Sequence, residues 1–212
     1  MASHTRPESA HRDRLLAAMA ELVAERGYPA VTVADVVGLA RVSKRTFYQH
    51  FVDREACFLA VYAAAAEGPL ARIAEAVTAA DAPPDLRAQV ARGNHAYLAA
   101  LSEQPALTRT LLTEISSLGP RGWAVRREVL GRFADQLSSL VAAGVARWGG
   151  EVPEVAGLTG LPRPMALALV GGINELVLEA VESGRIDRLP DLAPTATELV
   201  VAVLERSVRS RA

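Results

Sequence analysis

Apolar residues recur along most of this chain at three- and four-residue intervals, the spacing of one helix face. From Ser9 to Arg26 the recurring set is Leu15, Met19, Leu22 and Val23, and Gly27 stands where a left-handed C-cap residue belongs. After the turn "YPAV", Thr32 can N-cap a short helix over Val33–Ala40, with Val33, Val36 and Val37 inward. Ser43 can cap a third over Lys44–Phe51, and Asp53 a fourth that runs on to about residue 78. "DAPPD" (81–85) is the clearest break. Helical patterns return over 85–103, 105–118, 121–148, 163–184 and 194–209, separated by Pro- and Gly-bearing stretches. No segment sustains the two-residue alternation of a strand. The pattern predicts an all-α protein of about nine helices. It divides into a flexible arm (1–8), a helix-turn-helix unit (9–52) and a helical body (53–212) whose first helix, 53–78, connects the two.

Helices of eight residues do not persist alone in water, because nucleation is costly. They need a shared core, which Leu15, Met19, Leu22, Val33, Val36, Val37, Val42, Phe47 and Phe51 can supply. The brief "RV" turn between the second and third helices sends one across the other, as in a helix-turn-helix. With Phe47 and Phe51 inward at i, i+4, the side chains of Lys44, Arg45, Thr46, Tyr48 and Gln49 remain on the outer surface.

Composition narrows what that surface can do. The 212 residues carry a formal net charge of −1 and are 50% hydrophobic, with alanine heavily used. That balance argues against a protein that coats nucleic acid but leaves room for a local basic patch. Such a patch exists: from Arg41 to Arg54 four cations (Arg41, Lys44, Arg45, Arg54) face one acid, Asp53, and Lys44 is the chain's sole lysine. Lysine and arginine at the start of a groove-lying helix can reach guanine O6 and N7 or the phosphates. Tyr48 and His50 suit phosphate contacts that set register without reading sequence. A basic, aromatic helix taken alone is more often a solvated face, and it is the whole pattern that favours DNA.

Other classes recede. A single cysteine, Cys57, allows no intrachain disulfide, and in the fourth helix it is expected to be buried and inert. The N-terminal residues lack the apolar stretch of a secretory signal, and the runs "ACFLAVYAAAA" and "PMALALVGGI" are too short for a bilayer. A cytoplasmic protein without membrane contact is expected. No histidine–carboxylate cluster at metal spacing, glycine-rich phosphate loop or nucleophile with a matched base is visible, so no catalytic residue, metal or cofactor is expected.

Residues 12–54 resemble the DNA-binding head of the TetR/AcrR family of bacterial transcriptional repressors, through "AERGY", Thr32, "VS..TFY.HF", and an acid and a cation opening the fourth helix. The resemblance implies backbone-phosphate contacts from Thr32 and Tyr48. It places Lys44, Arg45, Thr46 and Gln49, on the helix opened by Ser43, at bases or nearby phosphates, and His50 and Arg54 on the phosphate side. Three positions depart from the family pattern. Arg41 stands where glycine is common, and a left-handed non-glycine costs roughly 1–2 kcal/mol. Gly38 weakens the second helix, and Ala34 offers no reader from it.

One head reads few base pairs, whereas two related by a two-fold axis read a palindrome. The resemblance implies a homodimer through helices 163–184 and 194–209. The first of these is apolar nearly all round, with only Glu175, Glu179 and Glu182 as a polar stripe. Internal core of a monomer is the alternative. On the body helices, Asn94, Glu114, Arg126 and Asn174 fall inside apolar arcs. Either they satisfy one another, as a Glu114–Arg126 pair would, or they line an effector cavity with Tyr97, Trp123, Phe133 and Met165 as walls. The leading expectation is a homodimeric repressor on a palindromic operator, released by a small, largely apolar effector, with the connecting helix as lever. The rival is an effector-independent co-regulator.

Overall fold

The computed structural model describes residues 7–81, 85–148 and 160–209. Among them are ten α-helices and no strand: α1 (Pro7–Arg26), α2 (Val33–Ala40), α3 (Lys44–His50), α4 (Arg54–Ala65), α5 (Glu67–Thr78), α6 (Leu86–Ser102), α7 (Pro105–Glu114), α8 (Gly119–Trp148), α9 (Arg163–Glu182) and α10 (Ala193–Arg209). The tenth helix is a correction: the expected rod over 53–78 is two helices divided at Ala66. Pro69 explains the break. It has no N–H for the carbonyl of Ala65, four residues back, and its ring crowds that carbonyl. At the front, α1 begins at Pro7, two residues earlier than the periodicity predicts, where a proline's missing N–H leaves no donor unpaired. The rest of the arm, residues 1–6, lies outside the described residues.

The chain divides into two compact units, a head unit (Met1–Ala65 and Ala106–Arg126) and a body unit (Ala66–Pro105 and Arg127–Ala212). The head unit takes in more than residues 9–52. Its core contains Leu15, Met19, Val23, Val31, Val36, Phe47 and Phe58, all without exposed surface. α7 is tied to α1 where the Thr110 hydroxyl donates to the Val23 carbonyl at 3.1 Å.

In the body unit, Ala134, Leu161, Ala166, Leu169, Ile173, Ala196, Val200 and Leu204 bury together, with Leu86, Val90, Tyr97 and Leu137 packed partly against them. The α5–α6 crossing is close because Gly93 has no side chain: a Cβ there would lie 3.2 Å from Val77 Cγ2.

By length and composition, residues 54–78 and 163–182 each reach the size of a membrane span, contrary to the shortness of their uninterrupted apolar runs. Core helices of soluble proteins share that composition. The first stretch is interrupted at Ala66, and α9 buries Ala166, Leu169, Ile173, Asn174, Val177, Ala180 and Val181.

Candidate nucleic-acid interface

The helix-turn-helix is held by caps written into the sequence. At the start of α2 the Thr32 hydroxyl donates to Asp35 Oδ2 (2.5 Å) and accepts from the Asp35 amide (3.2 Å), while the Thr32 amide donates to the same carboxylate (2.8 Å). These bonds, the Thr32 hydroxyl's first, hold the Asp35 carboxyl below its usual range. Arg41 ends α2 in the left-handed region, φ 52° and ψ 50°, as the departure from glycine requires. Its amide donates to the Gly38 carbonyl and that of Val42 to the Val37 carbonyl. Ser43 then caps α3, its Oγ accepting from the Thr46 amide at 3.0 Å and lying 2.9 Å from Thr46 Oγ1.

Phe47 sorts the faces of α3. It has no exposed surface, its ring is 5.7 Å from that of Phe51, and Tyr48 stands edge-on to it at 5.3 Å. Lys44, Arg45 and Gln49 are exposed, Tyr48 is 55% exposed, and Thr46 and His50 are half-buried. α3 therefore presents two cations, a phenol and an amide on the side away from its phenylalanine. It ends at His50, with Phe51 as cap.

Arg54 is placed differently. Its Nη1 donates to the carbonyls of Tyr28 (3.3 Å), Pro29 (3.4 Å) and Val31, and its guanidinium sits 4.3 Å from the Tyr28 ring centroid. A hydrogen-bonding cation over a ring at this distance clamps the 28–31 turn to the start of α4.

Asp53 caps α4, its Oδ1 accepting from the Ala56 amide at 2.6 Å, and also receives Arg121 Nη1 on Oδ2 at 2.9 Å. Arg121, then the Ala56 amide, hold its carboxyl below the usual range, with desolvation opposing them. A depressed carboxylate contributes stability that is present above the unfolded value, about 3.9, and lost as pH falls through the folded value. The contribution of Asp53 to the head's resistance to urea should therefore be fully present and independent of pH at pH 5–7, and decline on acidification below about 4. Asp53→Asn, which retains a capping side chain, should flatten part of that slope; an unchanged slope would remove Arg121 from the account. Nearby, burial pushes the Cys57 thiol up to about 12, leaving it protonated.

The body unit contains a cavity of about 120 Å³ among α5, α6, α8, α9 and α10. Its walls include Ile73, Val77, Val90, Phe133, Leu140 and Val170, with Gln89, Asn94, Tyr97 and Gln136 as the polar members. The Tyr97 and Phe133 rings meet edge-to-face at 5.4 Å. Asn94 Nδ2 donates to Thr197 Oγ1 (3.3 Å), and Gln136 Nε2 to the Leu70 carbonyl (2.8 Å).

Residues 15–61 match the family model of bacterial regulatory proteins, tetR family. Residues 15–61 therefore carry a tetR-family head. Solved structures carry the resemblance to full length in fold alone. The fatty acid degradation regulator FadR of Bacillus halodurans superposes with a TM-score of 0.67 at 18% identity, over 94% of this chain and 97% of its own. FadR of Bacillus subtilis, in complex with stearoyl-CoA, gives 0.68 at 18% identity, over 89% and 97%. A TetR-family transcriptional regulator of Mesorhizobium loti gives 0.68 at 19%, over 93% and 98%. No curated protein matches the chain.

Of the head candidates, Lys44, Arg45, Thr46, Tyr48, Gln49 and His50 lie on α3 and Ser43 caps it, whereas Thr32 caps α2 and Arg54 clamps the 28–31 turn. The body candidates are not gathered in one place. Asn94, Tyr97 and Phe133 line the cavity; Asn174 is buried but is not among its lining residues. Glu114, Trp123 and Arg126 belong to the head unit, where Trp123 is 55% exposed, and Met165 is 42% exposed on α9. A helical wheel gives the side of a helix on which a residue lies, but neither the depth along the axis nor the helix opposite. Gln89 and Gln136 went unpredicted. Their signal was available: Gln136 lies between Phe133 and Leu140 at i+3 and i−4, and Gln89 three residues after Leu86.

Proposed function

We propose that this protein is a tetR-family regulator, a cytoplasmic, homodimeric repressor that binds a palindromic operator through α3 and is released by a small, largely apolar effector bound in the body cavity. The observation that carries the DNA-binding reading is the division of α3 about Phe47, which leaves Lys44, Arg45, Tyr48 and Gln49 outward. Lys44, Arg45 and Gln49 meet base edges or adjacent phosphates, with Thr46 beside them. Tyr48, His50 and the caps Thr32 and Ser43 lie along the phosphates. Arg54 supports this surface from behind by holding the 28–31 turn. Fluorescence anisotropy with the chain's own upstream region against a scrambled duplex, at about 0.15 M salt, tests the reading. Equal affinity for both would defeat it.

The dimer reading rests on uncovered apolar surface. In α9's most apolar 18-residue window only 33% is buried, and Met165 and Leu199 (36%) are exposed on α9 and α10. Close packing of a second copy would cover them. Leu199→Glu is expected to convert a dimer to a monomer in sedimentation velocity at micromolar concentration; a wild-type monomer would refute the interface.

The cavity favours an effector-responsive protein over an effector-independent co-regulator, because a body without ligand has no use for a mostly apolar hollow with a few orienting polar groups. The effector acts through its different affinities for the DNA-competent and released states. The fold shared with a stearoyl-CoA-bound FadR supports an apolar effector.

A further inference from the structure

We infer that the effector group taken up by the body cavity is neutral, contains about six or seven non-hydrogen atoms, and carries a hydroxyl held by Asn94 or by Gln136; this rests on the effector reading above. Among the described residues that line the cavity there is no Asp, Glu, Lys, Arg or His. A carboxylate or ammonium entering it would lose its hydration without meeting a counter-charge, a cost that ordinarily excludes the charged form. Size sets the second limit. An engineered closed apolar cavity of about 150 Å³ accepts benzene; this one, of about 120 Å³ and open on one side, admits a ring of that size whose substituent reaches toward the opening.

The hydroxyl follows from how the two amides are oriented. The Thr197 hydroxyl has one hydrogen, which goes to the Ala193 carbonyl at 2.7 Å. Thr197 can therefore only accept from Asn94, which fixes the nitrogen of that amide against it and leaves Oδ1 unused. Gln136 faces the carbonyl of Leu70, an acceptor only, so its nitrogen is likewise committed and its Oε1 left over. Neither oxygen has a hydrogen-bond partner among the described residues. Each amide thus offers the cavity a carbonyl oxygen and one remaining N–H. A hydroxyl answers both, donating to an oxygen and accepting from an N–H; a methyl group answers neither.

Phenol, toluene and benzoate separate charge from hydrogen bonding, since the first two are nearly isosteric and the third is ionised at pH 7. Each is titrated into the full-length protein by calorimetry, and chemical-shift changes at Tyr97 and Phe133 place it in the cavity. Phenol and toluene are expected to bind there and benzoate not. In one of the two variants Asn94→Leu and Gln136→Leu, the one whose amide holds the hydroxyl, the ratio of phenol to toluene affinity is expected to fall roughly three- to tenfold, the worth of one net hydrogen bond. Benzoate binding as tightly as phenol would overturn the neutral class, and so would an absence of binding by all three. A ratio unmoved in both variants would overturn the hydroxyl. Anisotropy on the upstream duplex is read separately. Phenol that binds without changing operator affinity would defeat the effector reading while leaving the ligand class intact.

Discussion

Phe47→Ala is expected to destabilise the head unit by about 3–5 kcal/mol and to abolish preference for the upstream duplex. Phe47 has no exposed surface and touches Phe51 and Tyr48, so its removal leaves a cavity at the point where α3 is anchored. A seven-residue helix has no stability of its own to fall back on. Against a typical domain stability of about 5–15 kcal/mol, the loss is a large fraction of the total. Urea unfolding followed by Tyr28 and Tyr48 resonances reads the head directly, and a midpoint shift equivalent to under about 1 kcal/mol would mean that α3 is anchored elsewhere. Phe47→Leu, which keeps most of the volume, should retain most of the stability and the DNA preference.

Lys44→Ala and Arg45→Ala are each expected to cost about 1–3 kcal/mol in affinity for the upstream duplex while leaving the fold intact. Both side chains are exposed, and neither caps a helix, fills the core or takes part in an observed ion pair. If they read base edges, the loss is concentrated on the specific duplex and the discrimination against scrambled sequence shrinks. If they meet only phosphates, both duplexes weaken together and the salt slope falls by about one for each cation removed. Competition anisotropy at three salt concentrations distinguishes the two. No loss on either duplex would remove α3 as the DNA-facing element, whatever the family of the chain.

The head was legible because its information is local. Thr32 and Ser43 are short polar side chains immediately before helices, and each caps the helix it precedes through its own hydroxyl. Phe47 and Phe51 fall one turn apart, which settles the inward side before any tertiary contact is known. Arg54 is the exception within the head: the resemblance implies a place on the phosphate side, whereas the carbonyls it clamps belong to residues more than twenty positions earlier. The body was legible only as helices. Asn94 is conspicuous as a polar group within an apolar arc, and Tyr97 and Phe133 as walls do line the cavity, but Trp123 and Met165, equally plausible as walls, are exposed.

What the sequence determined by itself was the periodicity, the caps, the breakers and the basic face of α3, since each depends on residues within about one helical turn of one another. Tertiary structure alone decided that Gln89 and Gln136 join Asn94 around one hollow, and that Arg121 holds Asp53 from 68 positions away. Those pairings depend on which helices come together and at what height along their axes. Hydrophobic burial is non-directional and drives any apolar face against another, so the register of the match emerges only when the whole chain packs.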